Sequence, residues 1–105
     1  MVEELTSEKF DDFVKENRVV VDFFADWCGP CQQLGPVVEE VSKEVKDKVK
    51  IGKVNVETEQ GLAQRFQVMS IPTLLFFKDG EQVHRTQGAI SKEDLLDSID
   101  EHLGK

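Results

Sequence analysis

Residues 19–25 read Val-Val-Val-Asp-Phe-Phe-Ala, a near-continuous apolar run rich in β-branched and aromatic side chains. A strand with one wet face alternates apolar and polar residues, and this one does not. Such a run belongs in a sheet covered on both faces. The fold therefore has to supply helices for two sides of one sheet.

The rest of the chain supplies them. Val2–Leu5 reads as a short first strand. Thr6 is placed to cap a helix that carries Phe10, Phe13 and Val14 on one face, with Leu5 and Phe10 in the positions of a hydrophobic staple. After Val19–Ala25 comes a long helix with Leu34, Val37, Val38, Val41 and Val45 at helical spacing, and Pro36 inside it is expected to kink it. Val49–Val56 is a further strand and Glu59–Phe66 a short helix. Thr73–Lys78, the turn Asp79-Gly80 and Glu81–Gln87 form a hairpin. Ser91, with Asp94 three residues later, opens a last helix bearing Leu95, Leu96, Ile99 and Leu103. The order is β-α-β-α-β-α-β-β-α. Strands joined through helices pair in parallel and the hairpin adds antiparallel pairing. The fold class is α/β, a mixed five-stranded sheet flanked by four helices. At 105 residues, positions 1–105 suit one domain.

Composition excludes several functions. The longest apolar runs are far too short to span a bilayer. The first ten residues are acidic and lack both a basic and an apolar segment, so no signal or transit peptide is visible. The expected location is the cytoplasm, or an organelle matrix or stroma if a transit segment has been removed. A formal net charge of −8 argues against nucleic acid, whose phosphates need clustered Lys and Arg. It keeps the chain soluble and steers it, if anything, toward basic partners. Structural zinc wants four ligands. Two cysteines and two distant histidines, His84 and His102, are not spaced for it, and no metal is expected.

The cysteines are concentrated in Trp27-Cys28-Gly29-Pro30-Cys31, where the second strand gives way to the long helix. A staple in a reducing compartment is not expected. Chain-entropy arithmetic gives so small a ring only about 2 kcal/mol, against roughly 4.7 for a 100-residue loop. This bond is placed to be opened. A helix N-terminus offers free N–H groups and positive partial charge, so the thiolate of Cys28 is favoured there. Residues three apart on a helix share a face, so Cys31 can close on Cys28. Pro30 fixes the helix entry without losing a hydrogen bond, and Gly29 lets a partner backbone come close. Cys28 is expected to attack a target disulfide, and Cys31, more buried, to resolve the mixed disulfide. Cys31 then needs a base. Asp22, six residues before Cys28 in the apolar run, is the candidate proton acceptor, directly or through a water. The alternative is an Asp on a solvated strand face. Lys53, in Ile51–Val56, is either the counter-charge of Asp22 or an ordinary surface lysine.

Residues 19–31 (VVVDFFADWCGPC), 53–57 (KVNVE), 70–81 (SIPTLLFFKDGE) and 87–95 (QGAISKEDL) closely resemble the thioredoxin family, in the same order along nearly the whole chain. The resemblance implies a thioredoxin fold and a general protein disulfide reductase, with Cys28 and Cys31 as the redox pair and no further cofactor. It supports Asp22 as the buried acid with Lys53 beside it. It implies a cis bond before Pro72, which would leave the Ile71 backbone open for a substrate strand. It places Trp27, Ile71, Gly88 and Ala89 in an apolar rim around Cys28; core packing for Trp27 and a plain turn for Gly88 are the alternatives. The partners it implies are protein disulfides and a thioredoxin reductase, NADPH- or ferredoxin-linked, acting on a monomer. Phe24, Gln32 and Met69 depart from residues common in the family (Trp, Lys or Arg, and Arg). Two rival functions remain: a binding module that presents the rim without redox chemistry, and a net oxidant or isomerase.

Overall fold

The computed structural model describes residues 2–104. Its elements run β1 (Glu3–Glu4), α1 (Ser7–Val14), β2 (Arg18–Phe24), α2 (Gly29–Glu44), β3 (Lys50–Asn55), α3 (Gln60–Arg65), β4 (Thr73–Lys78), β5 (Glu81–Gln87) and α4 (Lys92–Leu103). The strands form one sheet in the order β1-β3-β2-β4-β5. β3 runs parallel to β1 and β2, while β4 runs antiparallel to β2 and β5. The expected mixed sheet is present, with β2 at its centre.

The period of two along β2 divides the core. Val19, Val21 and Phe23 enter one cluster with Phe10, Phe13 and Val14 of α1 and Leu62 of α3. Val20 enters another with Leu34, Val38 and Val41 of α2 and Leu95, Ile99 and Leu103 of α4. Asp22 has the parity of Val20, so the one carboxylate of the strand lies on the α2/α4 side. Each large side chain removed from water contributes on the order of 1.5–3 kcal/mol, and both faces of β2 are filled this way.

The hairpin has the predicted bounds. Asp79 and Gly80 both take positive φ, 52° and 86°, as a two-residue turn matched to strand twist requires. Ser91 caps α4: its Oγ accepts the Asp94 N–H at 3.0 Å. α2 continues through Pro36 as one helix from Gly29 to Glu44.

Two expectations need correction. Thr6 occupies the N-cap position of α1 but its side chain makes no capping bond. Glu59, at the start of α3, does that work from outside: its carboxylate accepts from Ser7 N–H at 3.0 Å and Ser7 Oγ at 2.8 Å. A charged acceptor makes the stronger bond, so the tertiary partner displaces the local one. His84 and His102 are not distant either. β5 and the last turn of α4 stack their rings with centroids 3.6 Å apart and planes 12° from parallel. Burial against Phe76 and the neighbouring His102 lower the His84 pKa, with desolvation the larger cause.

Candidate active site

β2 ends at Phe24 and α2 begins at Gly29, so Asp26 to Cys28 form the turn over the carboxyl end of the central strand. Cys28 is the N-cap of α2, with extended backbone (φ −86°, ψ 115°), and Pro30 sits in the first turn. The Cys28 Sγ accepts the Cys31 N–H at 3.2 Å. That is the geometry of a hydroxyl cap with sulfur in place of oxygen. A disulfide joins Cys28 to Cys31, whose Cα atoms are 5.2 Å apart. No acidic residue occupies the first turn of α2 itself.

Cys31 was expected to be the deeper of the two. The structure gives both the same exposure, 5%. With the bond closed each sulfur covers the other, and depth does not distinguish them. Bonding does: the Cys28 Sγ receives the helix N–H and lies 3.8 Å from the Ile71 carbonyl oxygen.

Asp22, in the central strand that leads to this turn, is 4% exposed, which removes the reading of a solvated strand face. Its Oδ1 has no hydrogen-bond partner. Desolvation pushes its pKa up to about 7, against the pull of the Lys53 charge. Lys53 stands opposite Asp22 in the parallel register of β2 and β3 and is half-buried. Its ammonium lies 5.3 Å from the centre of the Phe24 ring. Among the described residues no ion pair joins Asp22 and Lys53; the lysine acts across a distance.

A second loop completes the surroundings. The Ile71–Pro72 peptide bond is cis. Pro72 is buried and Ile71 half-buried, and Ile71 packs against the cluster of Ala25, Cys28 and Cys31. Gly88, at φ 86°, donates its N–H to the Pro72 carbonyl at 2.8 Å, which brings Gly88 and the exposed Ala89 beside the proline. Trp27 is 67% exposed, so it is not core. Gly29 and Pro30 are exposed as well, and a Cβ at Gly29 would meet nothing within 4 Å.

Sequence reasoning missed one residue. The Gln32 amide Nε2 donates to the Asp26 carbonyl at 2.9 Å and ties the turn that carries Trp27 back onto α2. Its partner is a backbone oxygen, which leaves no mark in the sequence. A shallow pocket of about 240 Å³, lined by Phe24, Ala25, Asp26, Cys31 and Gln32, opens beside the second cysteine.

A cysteine pair that closes at the junction of a central strand and a helix, beside a proline loop, defines a protein that exchanges dithiols for disulfides. The sequence model of the family described as Thioredoxin matches residues 1–101. A thioredoxin of Chlamydia pneumoniae is 45% identical over 102 residues, covering 97% of this chain and 99% of its own. One of Bacillus subtilis (strain 168) is 45% identical over 98 residues, 93% of this chain and 94% of its own. The chloroplastic M-type thioredoxin of Spinacia oleracea is 40% identical over 104 residues, 97% of this chain and 58% of its own. The chain belongs to the thioredoxin family. It is a protein-disulfide oxidoreductase whose chemistry is dithiol–disulfide exchange, and thioredoxins use no cofactor beyond that disulfide. Among the described residues no helix is long and apolar enough to cross a membrane.

Proposed function

We propose that this chain, acting as one domain and as a monomer, is a general reductase of protein disulfides in the cytoplasm. Cys28 is the nucleophile. Its thiolate attacks one sulfur of a target disulfide, that S–S bond breaks, and the other target sulfur leaves as a thiolate that takes a proton from water. Cys31 then passes its proton to ionised Asp22 and attacks the Cys28 Sγ. The mixed disulfide breaks, the second target sulfur leaves, and the protein retains the Cys28–Cys31 bond. Two electrons have moved to the target.

The observation that carries this assignment is the N–H of Cys31 bonded to the Cys28 Sγ at the N-terminus of α2. The same donor and helix end stabilise a negative sulfur once the bond is opened. A carboxyl that titrates near neutrality can accept a proton from Cys31 and release it again. Lys53 keeps Asp22 ionisable despite its burial. Trp27, Gly29, Pro30, Ile71, Pro72, Gly88 and Ala89 receive the substrate backbone, which pairs with the Ile71 peptide. A thioredoxin reductase, NADPH- or ferredoxin-linked, returns the electrons.

A Cys31→Ser variant tests the division of roles, since it should accumulate mixed disulfides through Cys28. Their absence contradicts it. Insulin disulfide reduction coupled in turn to an NADPH-linked and a ferredoxin-linked reductase identifies the electron source.

A further inference from the structure

We propose that Met69, with the shelf formed by the end of α3, selects substrates that carry an apolar side chain two residues from the reacting cysteine. The inference rests on the exchange site described above and concerns what lies next to it.

Among the described residues three large hydrophobic side chains are exposed: Trp27 at 67%, Met69 at 91% and Val83 at 41%. Trp27 directly precedes Cys28 and Met69 lies two residues before Ile71, whose carbonyl faces the Cys28 Sγ. Two of the three therefore belong to the two loops that carry Cys28 and Ile71. Single exposed hydrophobics are ordinary, but Met69 is not isolated. It closes a groove of about 480 Å³ shared with Ala63, Gln64, Gln67 and Val68. None of these five side chains is charged, in a protein of net charge −8. The groove accepts carbon without stripping water from an ion, and the surrounding charge disfavours an acidic visitor.

The backbone of the shelf is fixed in advance. Val68 N–H bonds the Ala63 carbonyl at 2.8 Å and Gln67 N–H the Gln64 carbonyl at 3.1 Å, with Gln67 at φ 54°. Arg85 of β5 donates one guanidinium nitrogen to the Phe66 carbonyl and another to that of Gln67. The Thr73 hydroxyl holds the Ser70 carbonyl at 2.7 Å. A visitor does not have to order this segment, so little of its contact energy is lost to ordering. The thioether of Met69 is unbranched and polarisable and adapts to side chains of different shape.

The occupant is the substrate polypeptide. A strand paired with the Ile71 peptide advances about 3.3 Å per residue and shows every second side chain on one face. With its cysteine at Cys28, the side chain two positions along projects about 6.6 Å away on the same face. Met69 stands two residues from Ile71, so its backbone lies within about 7 Å of the peptide with which that strand pairs.

The test uses short peptides whose single cysteine is disulfide-linked to thionitrobenzoate, with Leu, Ser or Asp two residues before or after it. Stopped-flow absorbance gives the second-order rate constant for each. The reduced protein should prefer Leu over Ser by about fivefold on one side of the cysteine, a difference of roughly 1 kcal/mol. It should disfavour Asp further. Met69→Ser should bring the Leu-to-Ser ratio close to one; at 91% exposure this change does not threaten folding. No preference in the parent protein, or a preference that survives Met69→Ser, overturns the proposal. So does an equal slowing of all the peptides and of a small disulfide without flanking residues, because that is not selection. The exchange site itself fails separately, if Cys28→Ser still reduces the peptides.

Discussion

Two helices of this fold begin in the same way and do different things. At α4 the Ser91 Oγ accepts the Asp94 N–H at 3.0 Å; at α2 the Cys28 Sγ accepts the Cys31 N–H at 3.2 Å. The caps are equivalent in geometry. Their first turns are not. α4 carries Glu93 and Asp94 against its positive end, and α2 carries no acid there. At α4 the helix dipole is already balanced by side chains, and the cap stabilises the helix. At α2 the imbalance is left for whatever negative charge the cap itself can carry. A sulfur can carry it and a serine hydroxyl at neutral pH cannot.

Making the α2 cap like the α4 cap should have the largest effect. Cys28→Ser keeps a capping acceptor but lowers disulfide reduction by roughly 10³-fold or more, since the hydroxyl stays protonated. Insulin reduction with an excess of reductant measures it. Retained reduction would mean that Cys28 is not the attacking thiol.

Asp22, on the sheet face that α2 and α4 cover, is the one buried carboxylate among the described residues. The Asp22 pKa is raised to about 7 from 3.8, so between these values the folded chain holds a proton that the unfolded chain has released. Stability from this group is greatest below pH 3.8, falls as pH rises, and is gone above about 7. Replacing the carboxyl by an amide removes that dependence. Asp22→Asn should stabilise the oxidised protein by about 4 kcal/mol at pH 8 and by little at pH 4. Urea unfolding midpoints across this range measure it, and parallel curves for parent and variant would remove the buried acid. The same variant should slow release of mixed disulfides more than the first attack.

The α4 cap gives the smaller, purely structural effect. Ser91→Ala should cost about 1 kcal/mol in urea unfolding and leave the rate constant for exchange intact. The finest adjustment converts the first turn of α2 toward that of α4. Space is open at Gly29, so Gly29→Asp adds an acid beside the sulfur. A dipole-scale interaction of about 0.3–1 kcal/mol should move the pH midpoint of Cys28 alkylation up by roughly half a pH unit. Alkylation is the correct readout, because the new side chain also crowds incoming substrate.

The parts of the molecule legible in the sequence are those fixed by neighbours in the chain. Val19–Ala25 announced a strand buried on both faces, Asp79-Gly80 a tight turn, and Ser91 with Asp94 a helix start. The Cys28–Cys31 spacing announced a closable pair because one helical turn sets it. What was hidden depends on residues far apart. Glu59 replaces Thr6 as the acceptor at α1 from 52 positions away. His84 and His102 meet because β5 and α4 pack together, which no spacing rule contains. Gln32 ties down the Trp27 turn through a backbone oxygen. The burial of Asp22 was readable from its apolar neighbours, but its missing partner at Oδ1 was not, since that depends on what β3 and α2 bring near.

The central claim is that the amide hydrogens at the start of α2 make one particular sulfur an anion. The most direct measurement is the ultraviolet thiolate absorbance of the reduced protein against pH, repeated with Cys31→Ser so that only the capping sulfur titrates. The account predicts that Cys28 ionises clearly below the pH at which a free cysteine does, in both proteins. A Cys28 that ionises with or above free cysteine would contradict it.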